Sequence, residues 1–273
     1  MEAHATRADA WALTQVAPPQ AVPLTAVAVA GGPEEGAGAG MGSRARLTGN
    51  GLLDALPEAD RGRIEPVLRR SVLATRQVVI EPNRLIETLY FPLTGVISLV
   101  TPTDDGSSVH VASVGAEGMV GIPVVLGEPS TPNLRAIVTV PGVALSMPAS
   151  QFRRCLLQSA SLHAELDRYA SALLTQAAQE VACNRRHSVL ERCSCWLLLA
   201  ADRTRSSEFP MTQEFLAELL GTRRASVVAG AGALQKAGAI HCRRGRIAIA
   251  DRHALEAFTC GCYRVIRETL VPA

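Results

Sequence analysis

Five arginines in two short stretches carry the most legible chemistry of this sequence. In "GTRRASVVAGAGALQKAG", residues 221–238, Arg223 and Arg224 stand ahead of a run of Ala, Val and Gly, and in "AIHCRRGRIAIAD" Arg243, Arg244 and Arg246 surround Gly245. A guanidinium fork donates two parallel hydrogen bonds to paired acceptors such as O6 and N7 of guanine, or to a phosphate. The same small-residue run does not make a phosphate-cradling glycine loop. A G-x-G-x-x-G pattern begun at Gly230 and Gly232 needs a third glycine where Gln235 stands, and no strand leads into it.

The surrounding elements position these arginines. Thr212 is suited to cap a helix with Glu214 in its first turn, and Leu216, Leu219 and Leu220 share one face of that helix before Gly221 ends it. Thr222 can cap a second helix at once. On it Val227, Ala231 and Leu234 form an i, i+4, i+7 stripe, and Gly238 closes it. Two short helices across a tight glycine turn are a helix-turn-helix layout, with Arg223 and Arg224 in the turn of the second helix that enters the major groove. Thr212, Gln213, Thr222 and Ser226 are the polar candidates beside them. Gly230 is expected to let the first helix pack closely, while Ala225, Ala229 and Gly232 face outward, where methyl groups can meet thymine. Ala239 to Cys242 and Arg246 to Ala250 read as two strands joined by Arg243-Arg244-Gly245, a basic hairpin placed to grip phosphates.

Charge agrees with this division. Residues 47–182 hold 10 Arg against 13 Asp and Glu, a net of −3, whereas residues 183–267 hold 14 Lys and Arg against 7 acids, a net of +7. A basic C-terminal third fits a nucleic-acid surface, and a solvated basic face without a partner is the other reading of charge alone.

Residues 71–147 alternate over short runs broken by Gly and Pro. Val96, Ser98 and Val100 interleave with Ile97 and Leu99, and Asp104-Asp105-Gly106 marks a hairpin turn. The pattern predicts an antiparallel barrel or a double-sheet roll. From Ser161 to Cys183 follows a long helix with one stripe of Leu162, Leu166, Tyr169, Leu173 and Ala177 and an adjoining stripe of Ala170, Leu174, Ala178 and Val181. One stripe suffices for packing on its own domain; two imply either burial on both sides within the chain or a second copy across a two-fold axis. A further helix spans Ser188 to about Asp202, and "RTRSSEFP" reads as a polar loop. Residues 1–46, rich in Ala, Gly and Pro without periodicity, are expected to be a disordered tail, or an upstream extension if the natural start is Met41.

The order of β-roll, long helix, helix-turn-helix opened by arginines, and basic wing resembles the Crp/Fnr superfamily of bacterial transcription regulators. The most specific segments are "TQEFLAELLGTRRASV" and "LQKAGAIHCRRGRI", and the resemblance spans roughly Asn50 to Tyr263. It implies an α+β chain with an N-terminal antiparallel double-sheet β-roll of the cyclic-nucleotide-binding type (47–157), a central dimerisation helix (158–186) and a C-terminal winged helix-turn-helix domain (187–273). It further implies a homodimer joined through Leu166, Tyr169, Leu173 and Ala177, a pseudo-palindromic double-stranded DNA site, and RNA polymerase as a further partner. Members that bind cyclic AMP hold its phosphate with an Arg-Ser pair and its ribose with a nearby Glu. Here "EGMVGIPVVLGEPSTPNLRAIV" has no Arg-Ser, Ile122 stands where the Glu is expected, and Arg135 is the one cation nearby, a weak candidate for an effector contact. Cyclic AMP is therefore not expected to bind. The best-known recognition helices pair their opening Arg with an acid and a second Arg; here those positions are Ala225 and Ala229, so the base code should differ.

Other chemistry finds little support. A jelly-roll metal enzyme needs several converging His and carboxylates, and the β region has His110 alone, read as a surface or internally satisfied residue. No Ser-His-Asp or Cys-His arrangement stands out, so no catalytic function is expected. Of the seven cysteines none precedes Cys155, and Cys183, Cys193, Cys195, Cys260 and Cys262 sit on elements remote in sequence, so they read as ordinary thiols with no metal or cofactor. An odd cysteine count in no regular frame and the absence of a signal-peptide pattern around Val22 to Ala30 point to the cytoplasm. The run from Cys195 to Ala201 is far short of a membrane span. An effector-binding or docking module without DNA contact is the competing class; it leaves both arginine groups without a purpose.

Overall fold

The computed structural model describes residues 48–104, 107–131 and 133–270. The expected N-terminal tail and the Asp105-Gly106 part of the expected hairpin turn lie outside the described residues.

Two short helices, α1 (Gly51–Ala55) and α2 (Glu58–Ile64), precede strands β1 (Arg69–Leu73), β2 (Val78–Ile80), β3 (Thr88–Pro92), β4 (Val96–Pro102) and β5 (Ser108–Val114). A single turn, α3 (Ile122–Val125), leads to β6 (Arg135–Val140), β7 (Gly142–Pro148) and α4 (Ala149–Leu156). The strands form two antiparallel sheets, β1-β7-β3 and β2-β6-β4-β5, so the roll is the expected one. The alternation of β4 explains its composition. Ile97 and Leu99 face the core inside the roll with Leu89, Phe91, Ala136, Val138 and Met147. Val96 and Val100 face the other way, and with Ile137 and Val140 of β6 they join the core of the C-terminal domain. The strand is apolar on both faces because both faces are covered, and each fully buried Val or Ile contributes about 1.5–3 kcal/mol.

Between these valines runs a polar ladder: the Ser98 hydroxyl lies 3.1 Å from that of Thr139 and 3.2 Å from that of Ser113. His110 is buried, not at the surface. Its Nε2 lies 2.7 Å from the Ser113 hydroxyl, and its Nδ1 is 3.5 Å from the Glu180 carboxylate. Gln176 covers the free edge of β5: with its amide oriented to satisfy both atoms, the nitrogen donates to the Ser113 carbonyl at 3.2 Å and the oxygen accepts from the Ser113 N–H at 2.9 Å.

Glu180 and Gln176 belong to α5 (Ala160–Arg186), 27 residues and so roughly 40 Å long at 1.5 Å per residue. Ser159 caps it by accepting from the Leu162 N–H at 2.9 Å. Leu162, Leu166 and Tyr169 are buried against the roll. The Tyr169 ring lies over Gly118 so closely that an added Cβ there would stand 2.1 Å from it, and its hydroxyl donates to the Met119 carbonyl at 3.0 Å. Burial first, and then the Glu117 carboxylate, push the Tyr169 phenol well above its ordinary pKa, keeping it a neutral donor. Beyond this anchor the helix exposes Leu174 at 72% and Val181 at 69%.

The C-terminal domain comprises α6 (Val189–Thr204), β8 (Glu208–Pro210), α7 (Gln213–Leu219), α8 (Arg224–Lys236), β9 (Ile240–Arg243), β10 (Arg246–Ile249), α9 (Arg252–Ala257) and α10 (Cys262–Leu270). Ser188 and Glu191 form a capping box at the start of α6. The sheet order β8-β10-β9 adds a strand to the expected hairpin. "SEFP" reads as loop because three residues show no period, yet the Phe209 ring is fully buried and β8 completes the sheet. This domain is docked on the roll. Arg76 pairs with Glu218 of α7 at 3.1 Å and lies 4.2 Å over the Phe215 ring.

Candidate nucleic-acid interface

The helix-turn-helix forms as its residues dictate, with one shift. Thr212 caps α7 by accepting from the Phe215 N–H at 3.0 Å. Gly221 takes a left-handed conformation, φ 57°, and the Thr222 N–H turns back to the Ala217 carbonyl at 3.0 Å. Closing α7 in this way consumes Thr222, so the expected cap moves on by one residue. Arg223, extended at φ −69° and ψ 138°, is the N-cap of α8, and no side chain caps its first turn. The helix therefore begins with its positive dipole end open and Arg223, Arg224 and Ser226 around it, a setting that favours an anion. From α6, Arg192 donates to the Leu220 carbonyl and secures the turn.

Helix α8 separates into the two expected faces. Val227, Ala231 and Leu234 are buried. Gly230 also faces inward, but its partner is α6 rather than α7. A Cβ there would come 3.5 Å from the Leu190 backbone, ordinary contact that leaves little room for more. On the opposite side Arg224, Ala225, Ala229 and Gly232 are exposed, and nothing lies within 4 Å of a Cβ added at Gly232. The outward surface is thus smooth from Ala225 to Gly232, with Arg224 at one end and Lys236 at the other.

The wing turns through Arg244 and Gly245, at φ 46° and 77°, the two positive angles of a tight hairpin whose twist suits the strands. Arg243 and Arg244 are exposed, and among the described residues no ion pair engages them, nor Arg223 or Arg224. Arg246 differs: it is paired with Glu208 of β8. A Cβ on Gly245 would lie 3.7 Å from the Thr212 methyl, so the wing tip sits beside the start of α7, where Gln213 is half-buried.

Two other groups of expected residues fall differently. Leu166 and Tyr169 are consumed in the protomer's own core and offer no free face, while Leu173 and Ala177 are half-buried. The exposed apolar stripe is the adjoining one, with Leu174, Ala178 and Val181. The reason is that α5 turns its most apolar side toward the roll. Arg135 on β6 is ion-paired with Glu81 at 3.1 Å, and Ile122, buried at the start of α3, presents a hydrocarbon where a ribose hydroxyl would need a carboxylate.

One cluster of side chains is not legible along the chain. The cysteines sit on elements remote in sequence, but α10 packs along the end of α5. Ligand atoms of Cys183, His187, Cys260 and Cys262 all lie within 4.8 Å of one another. The signals were a Cys and His four residues apart at a helix terminus and a Cys-x-Cys near the end.

A β-roll, a long connecting helix and a winged helix-turn-helix with an exposed basic reading end define a DNA-binding regulator whose N-terminal half is built like an effector module. The comparisons agree in both halves: residues 70–159 match the cyclic nucleotide-binding domain, and residues 191–258 match the Crp-like helix-turn-helix domain. The chain belongs to the Crp/Fnr family of transcription regulators. Among solved structures it is similar to a regulator of the Crp/Fnr family from Eubacterium rectale, with 18% identity, TM-score 0.56, and coverage of 76% of this chain and 96% of that one. It is also similar to a CRP-family regulator from Thermus thermophilus, with 17% identity, TM-score 0.57, and coverage of 74% and 100%. A third is FixK2 from Bradyrhizobium japonicum, with 15% identity, TM-score 0.56, and coverage of 71% and 98%. At these identities the similarity speaks to the fold. No curated protein matches the sequence. Among the described residues no helix is long and apolar enough to cross a membrane.

Proposed function

We propose that the protein binds a pseudo-palindromic DNA site as a homodimer and regulates transcription there, with RNA polymerase as the partner it acts on. The observation that carries this reading is the set of four exposed arginines without ion pairs, two at the open N-terminus of α8 and two at the wing tip. Arg224 reads a base, most suitably guanine, from the first turn of α8. Arg223, Ser226 and Thr222 contact phosphates beside it, and Thr212, Gln213, Arg243 and Arg244 grip the backbone from the neighbouring wing. Arg246 joins them only by giving up Glu208. The neutral face of Ala225, Ala229 and Gly232 lets the helix lie deep in the groove.

The dimer forms through the exposed Leu174, Ala178 and Val181 stripe of α5, which sets two α8 helices about one turn of DNA apart. The roll does not hold cyclic AMP, because Ile122 and the Glu81-paired Arg135 leave a ligand phosphate and ribose without suitable partners. A mobility shift on the DNA upstream of the protein's own gene, at two salt concentrations, tests the reading. A sequence-specific, salt-sensitive complex is expected, and its absence at low salt would favour a docking module instead. Calorimetry with cyclic AMP should show no binding at micromolar concentration.

A further inference from the structure

Cys183 lies in the last turn of α5, and His187, the C-cap of that helix, donates its N–H to the Cys183 carbonyl at 3.1 Å, while Cys260 and Cys262 flank Gly261 at the start of α10. The Cys183 and Cys260 sulfurs are 3.7 Å apart, and the Cys262 sulfur is 3.5 Å from His187 Nδ1. We propose that these four residues form a mononuclear metal site of the zinc class that pins α10 to the end of the long helix.

The distances select a single ion. A tetrahedral Zn²⁺ about 2.3 Å from sulfur and about 2.0–2.1 Å from nitrogen holds two thiolates about 3.8 Å apart and a thiolate about 3.6 Å from an imidazole nitrogen. Two edges found here have those lengths, and all four donor atoms lie within 4.8 Å of one another, a spread one ion can close and a pair of irons cannot span. A polynuclear iron–sulfur cluster places bridging sulfide between thiolates on different irons and holds them farther apart. Three thiols with one imidazole are a structural zinc set, and soft sulfur donors disfavour magnesium and calcium.

The surroundings fit a bound ion. Gln179, one turn before Cys183, donates from Nε2 to the Cys262 sulfur at 3.0 Å, the kind of outer hydrogen bond that orients a thiolate ligand. The three cysteines are buried and His187 is half-buried, which leaves an approach from solvent. Cys195 of α6 reaches Cys183 and Cys260 but lies outside the four-atom group, which makes it the competing thiol. His187 directly precedes Ser188, the cap of α6, so the ion would lock the joint at which the DNA-binding domain leaves α5.

The test uses the full-length protein purified under reducing conditions. Elemental analysis should find one zinc per chain. Cobalt added after chelation should give the thiolate charge-transfer and tetrahedral ligand-field bands. His187→Ala and Cys260→Ser should lose the cobalt spectrum, whereas Cys195→Ser and Cys155→Ser should keep it. If the ligand variants do not fold, the unaltered protein decides: chelation should lower its Tm and zinc should restore it. The proposal is overturned if the folded, reduced protein retains neither metal, or if a Cys183–Cys260 disulfide occupies the site. It is equally overturned by a multi-iron chromophore, or if Cys195→Ser loses the metal while His187→Ala keeps it.

Discussion

Arg203 of α6 donates from Nε to the Glu117 carboxylate at 2.8 Å, with their side chains only 5% and 16% exposed. Glu117 also accepts from the Gly115 N–H at 3.0 Å, so one carboxylate joins the loop before α3 to the first helix of the DNA-binding domain. A charge pair this far from water depends on both partners. Glu117→Gln or Arg203→Met alone should cost about 3–5 kcal/mol by stranding a buried charge. The double variant should recover much of that loss. Denaturant titration of the four proteins of the cycle checks it, and strict additivity would dismiss the coupling.

The same loop is held at Gly118, where Tyr169 leaves no room for a side chain. Gly118→Ala should destabilise the fold by about 1–3 kcal/mol through overpacking. Tyr169→Phe keeps the ring and loses the bond to the Met119 carbonyl, so it should cost only about 1 kcal/mol. Thermal unfolding compares the two. Gly118→Ala as stable as the parent would mean that the ring is free to withdraw.

What was legible in the sequence follows from range. The helix-turn-helix and wing are local: a cap, an apolar stripe and glycines at the breaks sit within forty residues, so Thr212, Val227, Leu234 and Gly238 fall where their chemistry requires. The roll was legible from the β4 alternation, but not the reason for its second apolar face, because α6, which packs against β4, lies about a hundred residues on. The same limit misassigned the free side of α5. Leu166 and Tyr169 look like an interface until the roll that consumes them is in place. The cysteine cluster failed for this reason most plainly, since Cys183 and Cys260 are 77 residues apart in sequence and 3.7 Å apart in space.

The proposed dimer seam can be tested with charge substitutions on either side of α5. Leu174→Glu and Val181→Glu place charges on an exposed stripe and should leave the monomer folded while abolishing dimers in sedimentation velocity. Leu166→Glu, aimed at a buried position, should unfold the chain instead. Dimers that survive both exposed substitutions would move the seam elsewhere.

The arginines divide by what holds them. Arg224→Ala should weaken specific binding by about 1–3 kcal/mol and relax preference at one base pair, because a bidentate base contact is lost. Arg244→Ala, at the wing tip without an ion pair, should lower affinity for all sequences alike and reduce the salt-dependence slope by about one. Arg246→Ala should change that slope less, since Arg246 already spends its charge on Glu208. Glu208→Ala releases that arginine and should steepen the slope toward the value expected with three engaged wing arginines. Binding titrations over a salt series separate these outcomes. An Arg246→Ala effect equal to that of Arg244→Ala would show that DNA displaces Glu208 at no measurable cost.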